Sequence, residues 1–190
     1  MSFDLLVLGV GGQGVVTAVK VITSAALNDG IGVKVGERHG LAQRYGSVEV
    51  HLRLGDSWGV IIPQGQGDAE LAFDPLEALR GLRYLRDGGV VIVNEHGVPT
   101  SSVSLGLTDA DQYPSEEEIF RSLEQRAHVF RIDARALAAD GRINGVMLGA
   151  LSSMPEFPIS SQSMEAAVKK RIPNSFENFL EGVRAMEKRW

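Results

Sequence analysis

Hydrophobic and polar positions along this chain follow two rhythms, one of continuous or alternating apolar runs and one of helical spacing. Phe3–Leu8 (FDLLVL) is a short continuous apolar run, which predicts a buried strand. A glycine cluster follows. From Gln13 to Asn28 the apolar residues Val16, Val19, Val21, Ala25, Ala26 and Leu27 recur with helical spacing, and Asp29-Gly30 ends the helix, with Gly30 as its C-terminal cap. Ile31–Val35 is predicted as a second strand. The pattern so far is a right-handed βαβ unit with the two strands paired in parallel.

Next comes Glu37–Ser47 (ERHGLAQRYGS), a polar, glycine-containing loop. Ser47–Leu54 (SVEVHLRL) alternates Val48, Val50, Leu52 and Leu54 with Glu49, His51 and Arg53, the period-two pattern of a strand with one solvated face. Gly55-Asp56-Ser57 reads as a turn that lets Trp58–Ile62 pair back as a hairpin. Glu70–Phe73 is a short strand. Asp74-Pro75 then opens a helix, with Asp74 as cap, Pro75 in the first turn, and Leu76, Leu79, Leu82 and Leu85 as its apolar face. Val90–Asn94 (VVIVN) is a buried strand. Ser115 followed by three glutamates signals another helix start, and His128–Ile132 a strand. Asp133–Asp140, Asn144–Ser153 and the stretch from Asn174 onward are predicted helical. Asn144 reads as a cap, Met154–Ser161 (MPEFPISS) as a surface connection, and the final EKRW as a solvated helix end. The order of elements predicts an α/β fold: a Rossmann-like three-layer sandwich with a mostly parallel sheet and a β-hairpin insertion.

Composition narrows the chemistry. The 190 residues suit one ordinary α/β domain, and 44% hydrophobic with 23% charged residues is the balance of a folded globular protein. A net charge of −5 argues against nucleic acid as the main partner. The chain has no cysteine, so it offers no disulfide, no thiolate nucleophile and no thiolate ligands for zinc or an iron–sulfur cluster. His39, His51, His96 and His128 show no metal-ligand spacing, so no metal site is expected. No stretch reaches membrane-spanning length and the first apolar run is too short for a signal peptide, which predicts no membrane partner and a cytoplasmic location.

The candidate chemistry starts in GVGGQG, Gly9–Gly14. Gly9, Gly11 and Gly14 have the G-x-G-x-x-G spacing of a dinucleotide-binding turn, and Gly12 and Gln13 fill it. Between strand and helix such a turn exposes backbone N–H groups beside a positive helix end, which suits a phosphate. Glu37 stands near the spacing of about 20 residues at which an acid holds a nucleotide ribose. The alternatives are a turn that serves only close packing, or another anionic ligand or partner protein. Gln13 favours the last of these, because its amide can both donate and accept at the helix mouth. The second candidate is the following loop, with Glu37, Arg38, His39, Gln43, Arg44 and Ser47: the arginines suit carboxylate or phosphate, and Glu37 or His39 suits proton transfer. The competing reading is a polar loop packed on a partner. Asn94, Glu95 and His96 read as turn formers at a strand end, and Trp58 as either an interface anchor or a packing residue. No single residue is assigned a catalytic role.

Several stretches in order carry a family likeness: GVGGQGVVTAVKVI, ERHGLAQRYGSVEVHLRLG, IIPQGQGD, DPLEALR, GGVVIVN and NGVMLGAL. The chain resembles the gamma subunit or domain of 2-oxoacid:ferredoxin oxidoreductases, and within that family the small beta subunit of the indolepyruvate type. The resemblance covers nearly the whole chain. It implies a single gamma-type catalytic domain over 1–190 that is inactive alone and belongs to an assembly oxidising a 2-oxoacid to an acyl-CoA. It places thiamine diphosphate and iron–sulfur clusters on a larger partner subunit, passes electrons to ferredoxin through that subunit, and makes coenzyme A a co-substrate that this domain helps to hold. Tyr45, Gln64 and Gln66 depart from the family pattern. An autonomous NAD(P)-binding oxidoreductase and a non-catalytic binding subunit are the alternatives.

Overall fold

A computed structural model describes residues 2–40, 46–97 and 114–190. Six strands form one mixed sheet: β1 (Phe3–Val10), β2 (Val33–His39), β3 (Ser47–Leu54), β4 (Gly67–Ala72), β5 (Leu85–Asn94) and β6 (Ala127–Ile132), in the spatial order β2-β3-β1-β4-β5-β6. β1, β4, β5 and β6 run parallel, whereas β3 is antiparallel to both β1 and β2. The helices are α1 (Val15–Asn28), α2 (Pro75–Gly81), α3 (Glu116–Glu124), α4 (Ala134–Leu137), α5 (Ile143–Ser152), α6 (Ser161–Arg171) and α7 (Phe176–Met186).

The strand pleat sorts the side chains between two cores. On β1, Leu5 and Val7 point to the face covered by α1, α5, α6 and α7, while Leu6 and Leu8 point to the face covered by α2 and α3. The fold is therefore the three-layer α/β arrangement expected from the sequence, with the β2–β3 hairpin as the antiparallel insertion.

Several local expectations are corrected. β1 and β2 do not pair; β3 lies between them. A 14-residue helix can cross to the neighbouring position or beyond it, and the periodicity of the strands does not say which. β2 also begins later and runs further than Ile31–Val35, so that Glu37, Arg38 and His39 belong to a strand and not to a loop. The polar face of β3 is not solvated: His51 and Arg53 are buried. What covers it is Trp58–Ile62, which forms no hairpin strand but crosses that face as an irregular strap and buries Ile62.

Downstream, Asp133–Asp140 contains a single helical turn, with Asp133 accepting from the Ala136 N–H. Asn144 lies inside α5 and does not cap it. Phe157 and Ile159 are buried, so MPEFPISS contributes to the core, and α6 follows it where periodicity gave no strong signal. Trp190 packs at a tilt against Phe130 with ring centroids 4.2 Å apart and donates from Nε1 to Ser153 Oγ. The end of the chain is anchored. The helix starts at Asp74 and Ser115 are as expected, the latter with a reciprocal capping box to Glu118.

Candidate site at the carboxyl edge of the sheet

Because β1, β4, β5 and β6 are parallel, the segments after them leave from one edge: the glycine turn, Asp74, Glu95–His96 and Asp133. β2 ends and β3 begins at the same edge, and the Gly11 N–H donates to Gly46 C=O at 2.9 Å. Gln43 and Arg44, like Tyr45, lie outside the described residues.

The glycines are dictated by space and by backbone angle. A Cβ on Gly9 would stand 2.7 Å from Val15 Cγ2 and 2.8 Å from Gln13 Oε1. Gly12 and Gly14 have φ of 103° and 90°, in the left-handed region that other residues rarely adopt. Gln13 is occupied at both ends of its amide: Oε1 accepts from Val10 N–H at 2.7 Å and Nε2 donates to Phe73 C=O at 3.1 Å. It ties the end of β1 to the end of β4 and so sets the shape of the turn, leaving one N–H and one oxygen lone pair of the amide beyond these two bonds. Among the described residues no side chain caps α1, whose first turn faces the turn of glycines. The start of α5 packs there too, with Asn144 about 3.3 Å from where a Gly14 Cβ would sit.

The pleat divides the second group of candidates. Glu37 and His39 lie on one face and pair with each other at 3.3 Å. Arg38 points to the other face, where its Nη1 donates to Tyr84 Oη at 2.8 Å and stands 3.5 Å from Glu49. Ser47 shares that face and donates to Glu77 Oε2 at 2.5 Å, fastening β3 to α2. Glu37 is level with Val50, and Val50 with Val7, so it stands two strands from β1 and three residues short of its end. At about 4.8 Å per strand and 3.3 Å per residue, that is roughly 10 Å away in each direction. Glu37 is therefore misplaced to hold a ribose whose phosphates sit on the glycine turn.

Sequence reasoning missed a polar network on the α2 face. Glu49 accepts from Arg83 at 3.1 Å and pairs with His51 Nε2 at 3.0 Å. His51 Nδ1 accepts from Ile62 N–H at 3.2 Å. A backbone N–H can only donate, so Nδ1 is unprotonated and Nε2 carries the hydrogen given to Glu49. Burial pushes the Glu49 carboxyl up, but the hydrogen bonds from His51 and Arg83 and the Arg83 charge outweigh it and hold the group below its ordinary range. The signal available in sequence was the triplet Glu49, His51, Arg53, which alternation alone assigned to solvent.

Glu70 is the opposite case. It is fully buried in β4 with no hydrogen-bond partner among the described residues, and burial, with a smaller contribution from the Glu49 charge, pushes its carboxyl well above the ordinary range. The folded chain thus keeps a proton that the unfolded chain releases. Stability accordingly falls as pH rises from the ordinary carboxyl range toward the raised value. Glu70→Met is expected to melt higher than the native chain at about pH 8 and to lose this advantage near about pH 4. Thermal melts of both across that range test it; equal melting temperatures at the alkaline end would contradict it.

Two strand ends also assemble what no spacing shows. Glu95, His96 and Asp133 bring one ligand-type atom each within 4.8 Å of one another, and His96 Nε2 lies 3.4 Å from Asp133 Oδ2. The Ala136 N–H bond, followed by the His96 contact, holds the Asp133 carboxyl below its ordinary range despite some desolvation.

The pyruvate ferredoxin/flavodoxin oxidoreductase family model matches residues 4–188. This chain is a member of that family. Among curated relatives, indolepyruvate oxidoreductase subunit IorB of Pyrococcus horikoshii is 40% identical over 179 residues, covering 90% of this chain and 87% of the relative. The IorB subunit of Thermococcus kodakarensis is 39% identical with the same coverage. In three dimensions this oxidoreductase subunit superimposes on pyruvate oxidoreductase subunit PORC of Thermotoga maritima with a TM-score of 0.71 at 20% identity, covering 98% of this chain and 96% of the other. It also matches the keto/oxoacid ferredoxin oxidoreductase gamma subunit of Geobacter sulfurreducens, TM-score 0.66 at 22% identity, with 98% and 97% coverage. The gamma-type fold expected from the ordered motifs is thereby established. Among the described residues, no helix of the family member is long and apolar enough to cross a membrane.

Proposed function

We propose that this chain is the small subunit of a thiamine-diphosphate-dependent indolepyruvate:ferredoxin oxidoreductase. The complex oxidatively decarboxylates an aryl 2-oxoacid to an acyl-CoA and delivers the electrons to ferredoxin through a larger partner subunit. The observation that carries this reading is the 40% identity to an indolepyruvate oxidoreductase subunit over 90% of the chain. The donor set agrees: without a single cysteine the chain has no thiolates for an iron–sulfur cluster, and in this reading the clusters and thiamine diphosphate belong to the partner. We read residues 1–190 as one gamma-type domain acting in the cytoplasm.

The chain's own part is to present the carboxyl edge. Gln13 locks the glycine turn, and Gly12 and Gly14 leave the uncapped start of α1 open to an anion such as a coenzyme A phosphate or to the partner's surface. Gly9 and Gly11 belong to the same turn, and Glu37, Arg38, His39, Gln43, Arg44 and Ser47 are assigned to the neighbouring part of the edge as contacts for the coenzyme or the partner. The NAD alternative lacks a ribose contact from Glu37 at the glycine turn.

Co-expression with the large indolepyruvate oxidoreductase subunit from the same genome tests the assignment. The two chains are expected to co-purify and to reduce ferredoxin in the presence of indolepyruvate and coenzyme A, with neither chain active alone. A large subunit that shows full activity without this chain would refute the proposal.

A further inference from the structure

The histidine spacings along the chain form no metal motif, yet two neighbouring strand ends bring a mixed set of ligand-type side chains together. β5 ends at Asn94 and β6 at Ile132, so Glu95 and His96 leave the sheet beside Asp133. One ligand-type atom from each of Glu95, His96 and Asp133 lies within 4.8 Å of the other two. Two ligand atoms on one tetrahedral zinc-like ion, each about 2.05 Å from it, stand about 3.4 Å apart. His96 Nε2 and Asp133 Oδ2 already have that separation, 3.4 Å. The Glu95 oxygen has at most about 1.4 Å to close, which rotation about its side-chain torsions supplies.

The backbone beneath these side chains is fixed. Asn94 is buried, and its amide joins both segments: Nδ2 donates to His96 C=O at 2.7 Å and to Phe73 C=O at 3.3 Å, and Oδ1 accepts from Ala134 N–H at 3.2 Å. The Glu95 N–H donates to Ile132 C=O at 2.9 Å. The Ala136 N–H engages Asp133 Oδ1 at 2.9 Å, and Oδ2 is the oxygen that meets His96. Buried groups that orient ligands in this way are the support a metal centre requires. Charge gives a separate reason. The strand carboxylates Asp4, Glu49 and Asp68 each face an arginine, Arg53, Arg83 and Arg86. Among the described residues, neither Glu95 nor Asp133 pairs with Lys or Arg, and the Glu95 carboxyl has no hydrogen-bond partner. Two carboxylates this close, with one imidazole between them and no arginine, leave negative charge that a cation neutralises.

We propose that Glu95, His96 and Asp133 bind one divalent transition-metal ion. An imidazole nitrogen with two carboxylate oxygens and no thiolate suits an ion of borderline softness, of which zinc is the representative. Three protein ligands leave at least one position open, and with the His96 and Asp133 side chains 48% and 40% exposed, water reaches it. The inference is independent of the oxidoreductase assignment, because the ligands and the test need only this chain. Calorimetric titration of the full chain with zinc chloride is expected to saturate at one ion per chain. His96→Ala and Asp133→Asn should each weaken binding at least about tenfold. The amide of Asp133→Asn keeps an oxygen for the Ala136 N–H, so the helix start survives. His128→Ala removes an exposed histidine elsewhere on β6 and should bind as the native chain does. Saturating zinc should raise the melting temperature of the native chain and of His128→Ala, and not that of the two ligand variants. A titration without saturable binding overturns the proposal. So does zinc that binds His96→Ala and Asp133→Asn as tightly as the native chain, which would mark an adventitious ion only.

Discussion

Gly149→Ala is expected to lower stability by about 3 kcal/mol, and with it the melting temperature by roughly 6 to 12 °C. The reason is backbone contact between α5 and α7. A Cβ on Gly149 would stand 2.0 Å from Phe179 C=O, and one on Gly182 would stand 2.0 Å from Val146 C=O. No rotamer change relieves either clash, because the opposing atoms are main chain; the helices must separate. Separation opens the core around Met147, Leu148 and Phe179 and displaces the start of α5, where Asn144 packs on Gly14. Gly182→Ala should be comparably harmful. Gly32→Ala is the control, since its Cβ would meet no atom nearer than 3.9 Å. Thermal melts followed by circular dichroism decide the matter: Gly149→Ala melting within about 2 °C of the native chain would mean that the helices do not touch as described.

Arg53→Met is expected to cost about 3 to 5 kcal/mol, the range for breaking a buried ion pair from one side. Arg53 holds Asp4 with two donors at 2.9 Å each, both side chains are almost fully covered, and a third donor satisfies Trp58 C=O. Removing the guanidinium leaves a carboxylate in an apolar setting without compensation. Asp4→Leu combined with Arg53→Met should regain most of the loss, because replacing both partners removes the stranded charge. Urea unfolding of the single and double variants measures both effects. If the single substitution cost less than about 1 kcal/mol, the pair would be contributing no more than an exposed one.

The glycine turn, the helix starts at Asp74 and Ser115, the buried strands and the six-motif resemblance were all legible in the sequence, because each is a local relation between residue type and backbone. Turn glycines, capping oxygens and apolar periodicity act over a few residues, and the chain states them directly. The separation of Glu37 from the glycine turn was not legible. It follows from β3 entering the sheet between β1 and β2, a choice made by hydrogen bonding between segments distant in sequence. The same holds for the burial of His51 and Arg53. Alternation identifies that two faces exist, but it does not identify what lies over them; here a strap with no regular structure covers the polar face and turns exposed-looking residues into a network.

The carboxyl edge shows the division most directly. The sequence by itself determined that strands, glycine turns and capped helices would form, and through its ordered motifs to which family the chain belongs. Only the tertiary structure decided that Gln13 serves Val10 and Phe73, that Arg38 and His39 face opposite ways, and that Glu95 and His96 meet Asp133. Contacts of that kind depend on strand order and on the two-residue pleat, where shifting a partner by one position reverses which side chains meet.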